Sequence, residues 1–235
     1  MARLKRLTIP LFWKVARKGN KWVVAPRAGP HKKFESVPLQ VLLRDVLKID
    51  DKGKEVRMII KKGEIVVDGR KRKDHAYPVG LFDIVSIPAL GKTYRAVPSK
   101  KTMSFIEIPS SEAKVKICRI QNKKTLGAGK VQLNLHDGKN ILVEKDEYKT
   151  GDSLLVEVPS LKIVEHVRLE KGAIGMVSRG KDSGSIGKVK EIIVTATKDP
   201  TKLIYEKDDG DAESLKDRFF VIGKNKPLIT VKEAD

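Results

Sequence analysis

The sequence has only one cysteine, Cys118, so it cannot form a disulfide framework. Disulfides are typical of secreted proteins, and their absence predicts a reducing compartment, the cytoplasm. Cys118 falls within a run of alternating apolar residues, 115–120, which favours a buried structural thiol over a nucleophile.

Long hydrophobic runs are also missing. A membrane helix needs about eighteen consecutive apolar residues, and no stretch approaches that length. The most hydrophobic early segment, residues 7–16, is interrupted by Pro10 and Lys14. We therefore expect neither a membrane span nor a signal peptide. Aromatic residues make up only 5% of the chain, which favours several small modules over one large core.

Patterns of catalytic residues are absent as well. The four histidines are far apart in the sequence: His31, His75, His136 and His166. Without an HExxH motif or a cysteine pair, we expect hydrogen-bonded or surface histidines and no metal site. Residues 127–130 are faintly similar to a phosphate-binding loop, but Lys124 replaces its first glycine and Val131 its Ser/Thr. No serine lies in a GxSxG motif. The sequence therefore predicts no enzyme and no cofactor.

The chain does have an excess of positive charge. It carries 49 Lys and Arg against 30 Asp and Glu, a formal net charge of +19. Residues 1–40 hold ten basic residues and one acidic residue, and residues 41–100 hold fourteen and eight, so fifteen of the nineteen net charges lie in the first hundred residues. This asymmetry predicts a polyanionic partner and is typical of a nucleic-acid-binding protein.

The first 36 or so residues show neither helical nor strand periodicity, and they mix basic residues with prolines, Trp13 and Trp22. Two interpretations are open. The segment is either a disordered basic tail or an arm ordered against RNA and against its own protein, with the rings stacking or packing. The interspersed tryptophans favour the second interpretation.

The next segment has apolar residues at the spacing of a helix. Ser36 is a candidate cap, Pro38 suits a first turn, and apolar residues recur along 39–47, so we expect a helix there. A second helix is expected over 54–62, ended by Gly63. A strand at 65–67, the turn signal Asp68-Gly69, four consecutive cations at 70–73 and a strand at 84–87 complete this block.

Beyond residue 101 the pattern changes to short strands, expected at 105–108, 115–120, 131–135, 141–144 and 154–158, which indicates a small β barrel or sandwich. A third unit begins near residue 171, with repeated glycines and a strand at 192–194. The last apolar run, 219–222, is expected to add a strand to whichever barrel lies beside it.

The outer faces of the two helices carry cations, and the run at 70–73 is expected to form a basic hairpin tip. Together they are expected to form one convex positive surface that follows RNA phosphates. The helix cations are Arg44, Lys48, Lys54, Arg57 and Lys61. The alternative is an ordinary solvated helix face, because Asp45, Asp50, Asp51 and Glu55 are interspersed. Four consecutive cations beside a turn favour the first interpretation.

Several longer motifs are spread over nearly the whole chain. They are Gly29-Pro30-His31-Lys32, Tyr77-Pro78-Val79-Gly80, Asp83-Ile84-Val85-Ser86-Ile87, Glu112-Ala113-Lys114-Val115-Lys116, His136-Asp137 and Phe220-Val221-Ile222-Gly223-Lys224-Asn225-Lys226-Pro227. In these motifs the sequence resembles the e-type small-subunit ribosomal protein four family of archaea and eukaryotes. The acidic ending Glu233-Ala234-Asp235 lacks the basic tail of eukaryotic members and favours an archaeal member.

The resemblance implies an α+β, multidomain fold, in which a small helical α-L RNA-binding module is followed by two small β-barrel-like units, the second a KOW barrel. Residues 1–38 would form an extended basic N-terminal arm and 39–100 the α-L module. Residues 101–170 would form the central β domain, 171–206 the KOW barrel with its glycine-centred turn at 184–189, and 207–235 a C-terminal segment that adds strands.

The resemblance also implies a function: a structural constituent of the cytoplasmic small ribosomal subunit that binds and stabilises small-subunit ribosomal RNA near its 5′ region. The expected partners are that RNA and neighbouring ribosomal proteins, with no membrane, no small-molecule substrate and no homo-oligomer. The residues expected to contact RNA are Arg3, Lys5, Arg6, Lys14, Arg17, Lys18, Arg44, Lys48, Lys54, Arg57, Lys61, Lys62, Arg70, Lys71, Arg72, Lys73, Arg179, Lys181 and Lys188.

Two alternatives remain at this point. A KOW-containing transcription factor would bind RNA weakly and copurify with polymerase, but it would not explain the helix-rich basic block at 39–100. An RNA-modifying enzyme with an α-L substrate clamp would need a separate catalytic domain, and residues 101–235 divide into small β units instead.

Overall fold

The structure is a computed structural model that describes residues 3–100, 102–194, 200–207 and 210–231. Residue contacts divide the chain into two compact units. Unit 1 comprises Met1–Val97 and Thr102–Lys114, and unit 2 comprises Pro98–Lys101 and Val115–Asp235. The chain is thus multidomain and mostly β, with few helices. The finer five-part division stays a prediction.

The elements up to residue 107 include two short α-helices and nine strands. They are β1 (Arg3–Lys5), β2 (Trp22–Val24), β3 (Val37–Pro38), α1 (Leu39–Val41), a π-helical segment (Leu42–Val46), α2 (Gly53–Lys62), β4 (Val66–Val67), β5 (Arg70–Lys71), β6 (Pro78–Val79), β7 (Ile84–Ile87), β8 (Lys92–Ser99) and β9 (Thr102–Glu107). Strands β1 and β2 pair, β3 and β6 pair, and the remaining five form one sheet in the order β5-β4-β7-β8-β9.

The N-terminal segment packs against its own unit. Strands β1 and β2 are antiparallel, with Lys5 opposite Trp22. The apolar residues Leu4 and Ile9 are buried in the same core as α1 and α2. Trp13 is 4% exposed, and its indole N–H donates a hydrogen bond to the Ser36 carbonyl over 3.0 Å. The disordered-tail interpretation of this segment is therefore wrong.

The helical region differs in part from the expectation. A single helix was predicted over 39–47, but α1 gives way to the π-helical segment, in which the Leu47 N–H donates to the Leu42 carbonyl. Ser36 is no helix cap, because its hydroxyl donates to the Lys32 carbonyl. Helix α2 is confirmed, and it ends at Gly63, whose φ of 79° is the left-handed conformation that glycine adopts without strain.

The predicted turn at 68–69 is confirmed as the tip of a tight hairpin. Val67 pairs with Arg70 across it, and both turn residues have positive φ, 49° at Asp68 and 71° at Gly69, as a type I′ turn requires. Because the turn takes only these two residues, Arg70 and Lys71 lie on the edge strand β5 rather than at the tip.

Unit 2 contains two five-stranded antiparallel sheets. The first has the order β12-β11-β10-β13-β14, and the second has the order β18-β17-β16-β15-β19. The strands are β10 (Val115–Thr125), β11 (Val131–Leu135), β12 (Asn140–Val143), β13 (Ser153–Glu157), β14 (Ile163–Val167), β15 (Ile174–Val177), β16 (Ile186–Ile193), β17 (Lys202–Lys207), β18 (Gly210–Leu215) and β19 (Phe219–Gly223). Short 3₁₀ turns elsewhere are Arg6–Thr8, Pro88–Leu90, Glu112–Lys114, Gly127–Gly129 and Lys216–Arg218.

The last predicted strand is confirmed, since β19 pairs with β15 and joins the second sheet. A Cβ atom at Gly175 would lie 2.1 Å from the Phe219 ring, so this pairing requires a glycine. The hairpin of β17 and β18 was not predicted. In the described part of the chain no helix is long and apolar enough to cross a membrane.

Candidate nucleic-acid interface

Helix α2 presents a row of cations to solvent. Lys54, Arg57 and Lys61 follow one another at spacings of three and four residues, and all three are exposed. Val56 and Ile60 on the opposite side are buried in the core of unit 1. The apolar face anchors the helix and thereby points the cations outward.

A buried amide fixes one of these cations. Gln40 is 2% exposed, and its side-chain carbonyl accepts a hydrogen bond from the Arg57 guanidinium over 2.9 Å. Its amide N–H donates to the Gly53 carbonyl at the start of α2 over 3.0 Å. Gln40 therefore holds Arg57 in place, while Arg57 as a whole stays exposed. The sequence contained no signal for this role beyond a polar residue in an apolar helix.

Cations from two segments lie near His75: Arg57 and Lys61 on α2, and Arg27 in the N-terminal segment. The pKa of His75 is lowered, first because the ring is partly buried and next because Arg57 is close; Arg27 and Lys61 act in the same direction, while Asp74 opposes them. Arg27 and Asp74 form an ion pair of 3.2 Å. Sequence reasoning missed Arg27 and His75, because their place beside α2 depends on tertiary contacts.

The hairpin cations divide into two kinds. Arg70, Lys71 and Lys73 are exposed, and the side chain of Lys73 lies over Gly63 at the end of α2. Arg72 instead places its guanidinium 4.4 Å from the centroid of the Tyr77 ring and is only half-exposed. Arg72 thus packs against an aromatic ring of its own unit, whereas Arg70 and Lys71 are exposed on the edge strand.

Two further predicted contacts serve the protein interior. Arg6 is 9% exposed, and its guanidinium donates to the Ala16 carbonyl and lies 3.9 Å from Asp45. Arg44 is half-buried and contacts the same Asp45 at 2.7 Å. Arg6 and Arg44 therefore form an ion cluster with Asp45, which corrects the expectation that both face RNA.

The other predicted cations of unit 1 face solvent. The side chain of Arg3 lies outside the described part of the chain. The exposed residues are Lys5, Lys14, Arg17, Lys18, Lys48 and Lys62. Unit 1 holds 24 basic and 11 acidic residues, a net charge of +13, against +6 for unit 2. The positive surface is therefore concentrated on unit 1.

In unit 2 the predicted cations are also exposed. Arg179 and Lys181 lie in the connection between β15 and β16, and Lys188 lies on β16. Elsewhere on the same sheet exposed lysines are offset by carboxylates, such as Lys190 with Asp211 at 2.6 Å. Cationic surface in this unit is therefore more local than in unit 1.

Comparison with known proteins places this arrangement in a family. The family model "Ribosomal family S4e" matches residues 90–163, and the model "RS4NT (NUC023) domain" matches residues 2–34. "Small ribosomal subunit protein eS4" of Archaeoglobus fulgidus is 44% identical over 228 residues, and that of Methanocella arvoryzae is 43% identical over 226; each alignment covers 96% of both chains. The chain belongs to the ribosomal family S4e.

The solved structure of the 30S ribosomal protein S4e from Thermoplasma acidophilum is similar, with a TM-score of 0.71 and 27% identity over 81% of this chain and 96% of that one. The named relatives are archaeal, as the sequence led us to expect. Membership of this family also confirms the prediction that the chain is a ribosomal protein and not an enzyme.

Three motifs that carried the resemblance meet in unit 1 of this S4e chain. The His31 ring bonds both carboxylate oxygens of Asp83 at 3.0 Å, and Asp83 also accepts the Gly80 N–H. A Cβ at Gly80 would lie 2.2 Å from that ring. These motif residues therefore join the N-terminal segment to the body of unit 1.

Folding does bring three potential metal ligands together, against the expectation from spacing. The ligand atoms of Cys118, His136 and Asp137 lie within 4.8 Å of one another. Asp137, however, already accepts from Lys116 at 3.1 Å and Lys139 at 3.0 Å. Burial alone would raise the pKa of Asp137, but Lys116, then His136 and Lys139, hold it well below its usual range. The two ammonium groups at the Asp137 carboxylate would repel a metal cation at this position. Cys118 is a buried thiol, as predicted.

Proposed function

We propose that this chain is a structural constituent of the small ribosomal subunit that binds and stabilises small-subunit ribosomal RNA. One observation carries the RNA-binding part: on the unit with the higher net charge, exposed cations of α2 and Arg27 of the N-terminal segment lie near His75, and the Lys73 side chain lies over the end of α2. The archaeal relatives named as small ribosomal subunit proteins support the location in the cytoplasmic ribosome. Neighbouring ribosomal proteins are further proposed partners.

The proposed mechanism is electrostatic. Each exposed cation that contacts a phosphate releases condensed counterions from the RNA. The released ions gain entropy in bulk solution, and this entropy favours binding. The hydrogen bond from Arg57 to Gln40 and the packing of α2 hold cations in place before RNA arrives. Less side-chain entropy is then given up on binding than for a disordered tail.

The finer domain assignments belong to the same proposal. The helical pair with the β4–β5 hairpin supports an α-L module at 39–100, and the glycine-rich turn between β15 and β16 supports a KOW barrel at 171–206. The RNA contacts we retain are the exposed cations Lys5, Lys14, Arg17, Lys18, Lys48, Lys54, Arg57, Lys61, Lys62, Arg70, Lys71, Lys73, Arg179, Lys181 and Lys188, together with Arg27.

The test replaces Lys54, Arg57 and Lys61 together with glutamine. We expect binding to a transcript of the 5′ region of small-subunit RNA to weaken by about ten- to a hundredfold at moderate salt. The log–log salt slope should become shallower by roughly 0.7–0.9 for each phosphate that the variant no longer neutralises. Filter binding across a salt series measures both quantities.

The matched control replaces Lys190 and Lys202, which are exposed but offset by Asp211 and Glu213. It should change affinity by less than about threefold. Equal decreases in the two variants would show that net charge, and not the α2 surface, drives binding. A wild-type chain that sediments apart from ribosomal particles at low salt would overturn the proposed function.

A further inference from the structure

The two tryptophans of unit 1 have opposite environments. Trp13 is 4% exposed and buried in the core, with its N–H bonded to Ser36. Trp22 is 42% exposed on strand β2. The first ring therefore serves the fold, whereas the second presents aromatic surface to solvent.

Cations lie beside the exposed ring. The Lys21 ammonium is 5.4 Å from the centroid of the Trp22 ring. Lys5 is directly opposite Trp22 in the antiparallel pair, so its side chain emerges on the same face of the two strands. Both lysines are exposed. An aromatic surface flanked by ammonium groups matches the alternation of base and phosphate in a nucleic-acid strand.

The surrounding sequence favours RNA over a protein partner. The first acidic residue of the chain is Glu35, so no carboxylate of residues 1–34 offsets the cations near Trp22. Exposed aromatic rings contribute to single-stranded RNA binding because every base offers a π-face.

We propose that the exposed face of Trp22 is a stacking site for an unpaired nucleobase of RNA, with Lys21 and Lys5 neutralising the adjoining phosphates. This inference rests on the proposed RNA-binding function and assigns one ligand group to one residue. A stacking base displaces the flexible Lys21 side chain from the ring and leaves its ammonium beside the phosphate. Paired bases inside a duplex are not available to this site.

The chain offers a direct readout, because Trp13 and Trp22 are its only two tryptophans. We expect a twelve-nucleotide oligouridine to quench the fluorescence of the full-length protein, and a blunt-ended RNA duplex at the same phosphate concentration to quench it much less. In Trp22→Phe the remaining Trp13 fluorescence should not respond to oligouridine, while affinity stays within about threefold.

Trp22→Leu should bind oligouridine about tenfold more weakly, as expected when one base is no longer stacked. Its salt slope should equal that of the wild type, because the same phosphates are still neutralised, whereas Lys21→Gln should make the slope shallower by about 0.7. Leu90→Ala removes another exposed apolar side chain of unit 1 and is the control, expected to bind as the wild type does.

Wild-type affinity in Trp22→Leu, or absence of quenching while oligouridine binds, would overturn the stacking site and leave the proposed function standing. Equal quenching by the duplex and the oligouridine would also overturn it. A wild-type protein that binds neither RNA would remove both the site and the proposed function.

Discussion

The buried ion pair of unit 2 allows a quantitative prediction. Lys116 and Asp137 are both fully buried, 3.1 Å apart, and Asp137 also contacts the partly exposed Lys139. Asp137→Asn keeps the shape of the side chain but leaves the Lys116 ammonium buried beside a neutral amide. The variant therefore isolates the charge of Asp137.

Removing one partner of a buried ion pair costs about 3–5 kcal/mol. Unit 2 has 125 residues, for which such a destabilisation lowers the Tm by roughly 10–20 °C. Thermal unfolding followed by far-UV circular dichroism measures the shift. Both tryptophans lie in unit 1, so their fluorescence follows that unit separately. Glu213→Gln, which breaks the exposed pair with Lys202, should cost less than about 1 kcal/mol.

The same pair predicts a dependence on pH. The pKa of Asp137 is lower in the folded protein than the value of about 3.9 expected when unfolded. The unfolded chain therefore binds a proton first as pH falls, so the stability from Asp137 is complete above about pH 5 and is lost below it. Asp137→Asn should show a flatter decline of stability between about pH 5 and 2.

A Tm for Asp137→Asn equal to that of Glu213→Gln would refute this reasoning. The double variant Lys116→Met with Asp137→Leu is the second check. Replacing both charges by apolar groups should recover most of the stability, because no unpaired charge remains buried. Failure to recover it would mean that the destabilisation of Asp137→Asn came from packing.

Three further predictions concern unit 1 and the thiol. Gly80→Ala should destabilise unit 1 by about 1–3 kcal/mol, because the new Cβ would meet the His31 ring, and urea unfolding monitored by tryptophan fluorescence measures the change. Arg57→Gln should raise the pKa of His75 by removing a nearby positive charge, as an NMR titration would show. Cys118→Ser should leave RNA affinity within about twofold in filter binding, because the thiol is buried.

Each of these predictions has a result that contradicts it. A neutral effect of Gly80→Ala would mean that the His31 contact yields without cost. A lower or unchanged His75 pKa would show that Arg57 does not face the ring. Abolished RNA binding in a folded Cys118→Ser variant would give the thiol a role at the interface.

Local patterns predicted several elements well. The strands at 84–87 and 131–135 and helix α2 were expected at or within one residue of their observed bounds. Alternating or helically spaced apolar residues define these segments, and a glycine or turn residue ends each. The hairpin of β17 and β18 was missed. Strand β18 (Gly210–Leu215) is largely exposed, so its sequence has no alternating apolar residues that would have indicated a strand.

The sequence by itself determined the family, the mostly local elements and the concentration of positive charge in the first hundred residues, because composition and neighbouring residues carry that information. Only the tertiary structure decided which cations and rings remain at the surface. Arg6 is buried because it meets the carbonyl of Ala16 and the carboxylate of Asp45, and Trp13 because it reaches Ser36. The contacts that bury Trp13 but not Trp22, and Arg6 but not Lys5, are made between distant parts of the chain. Residue type alone cannot specify them.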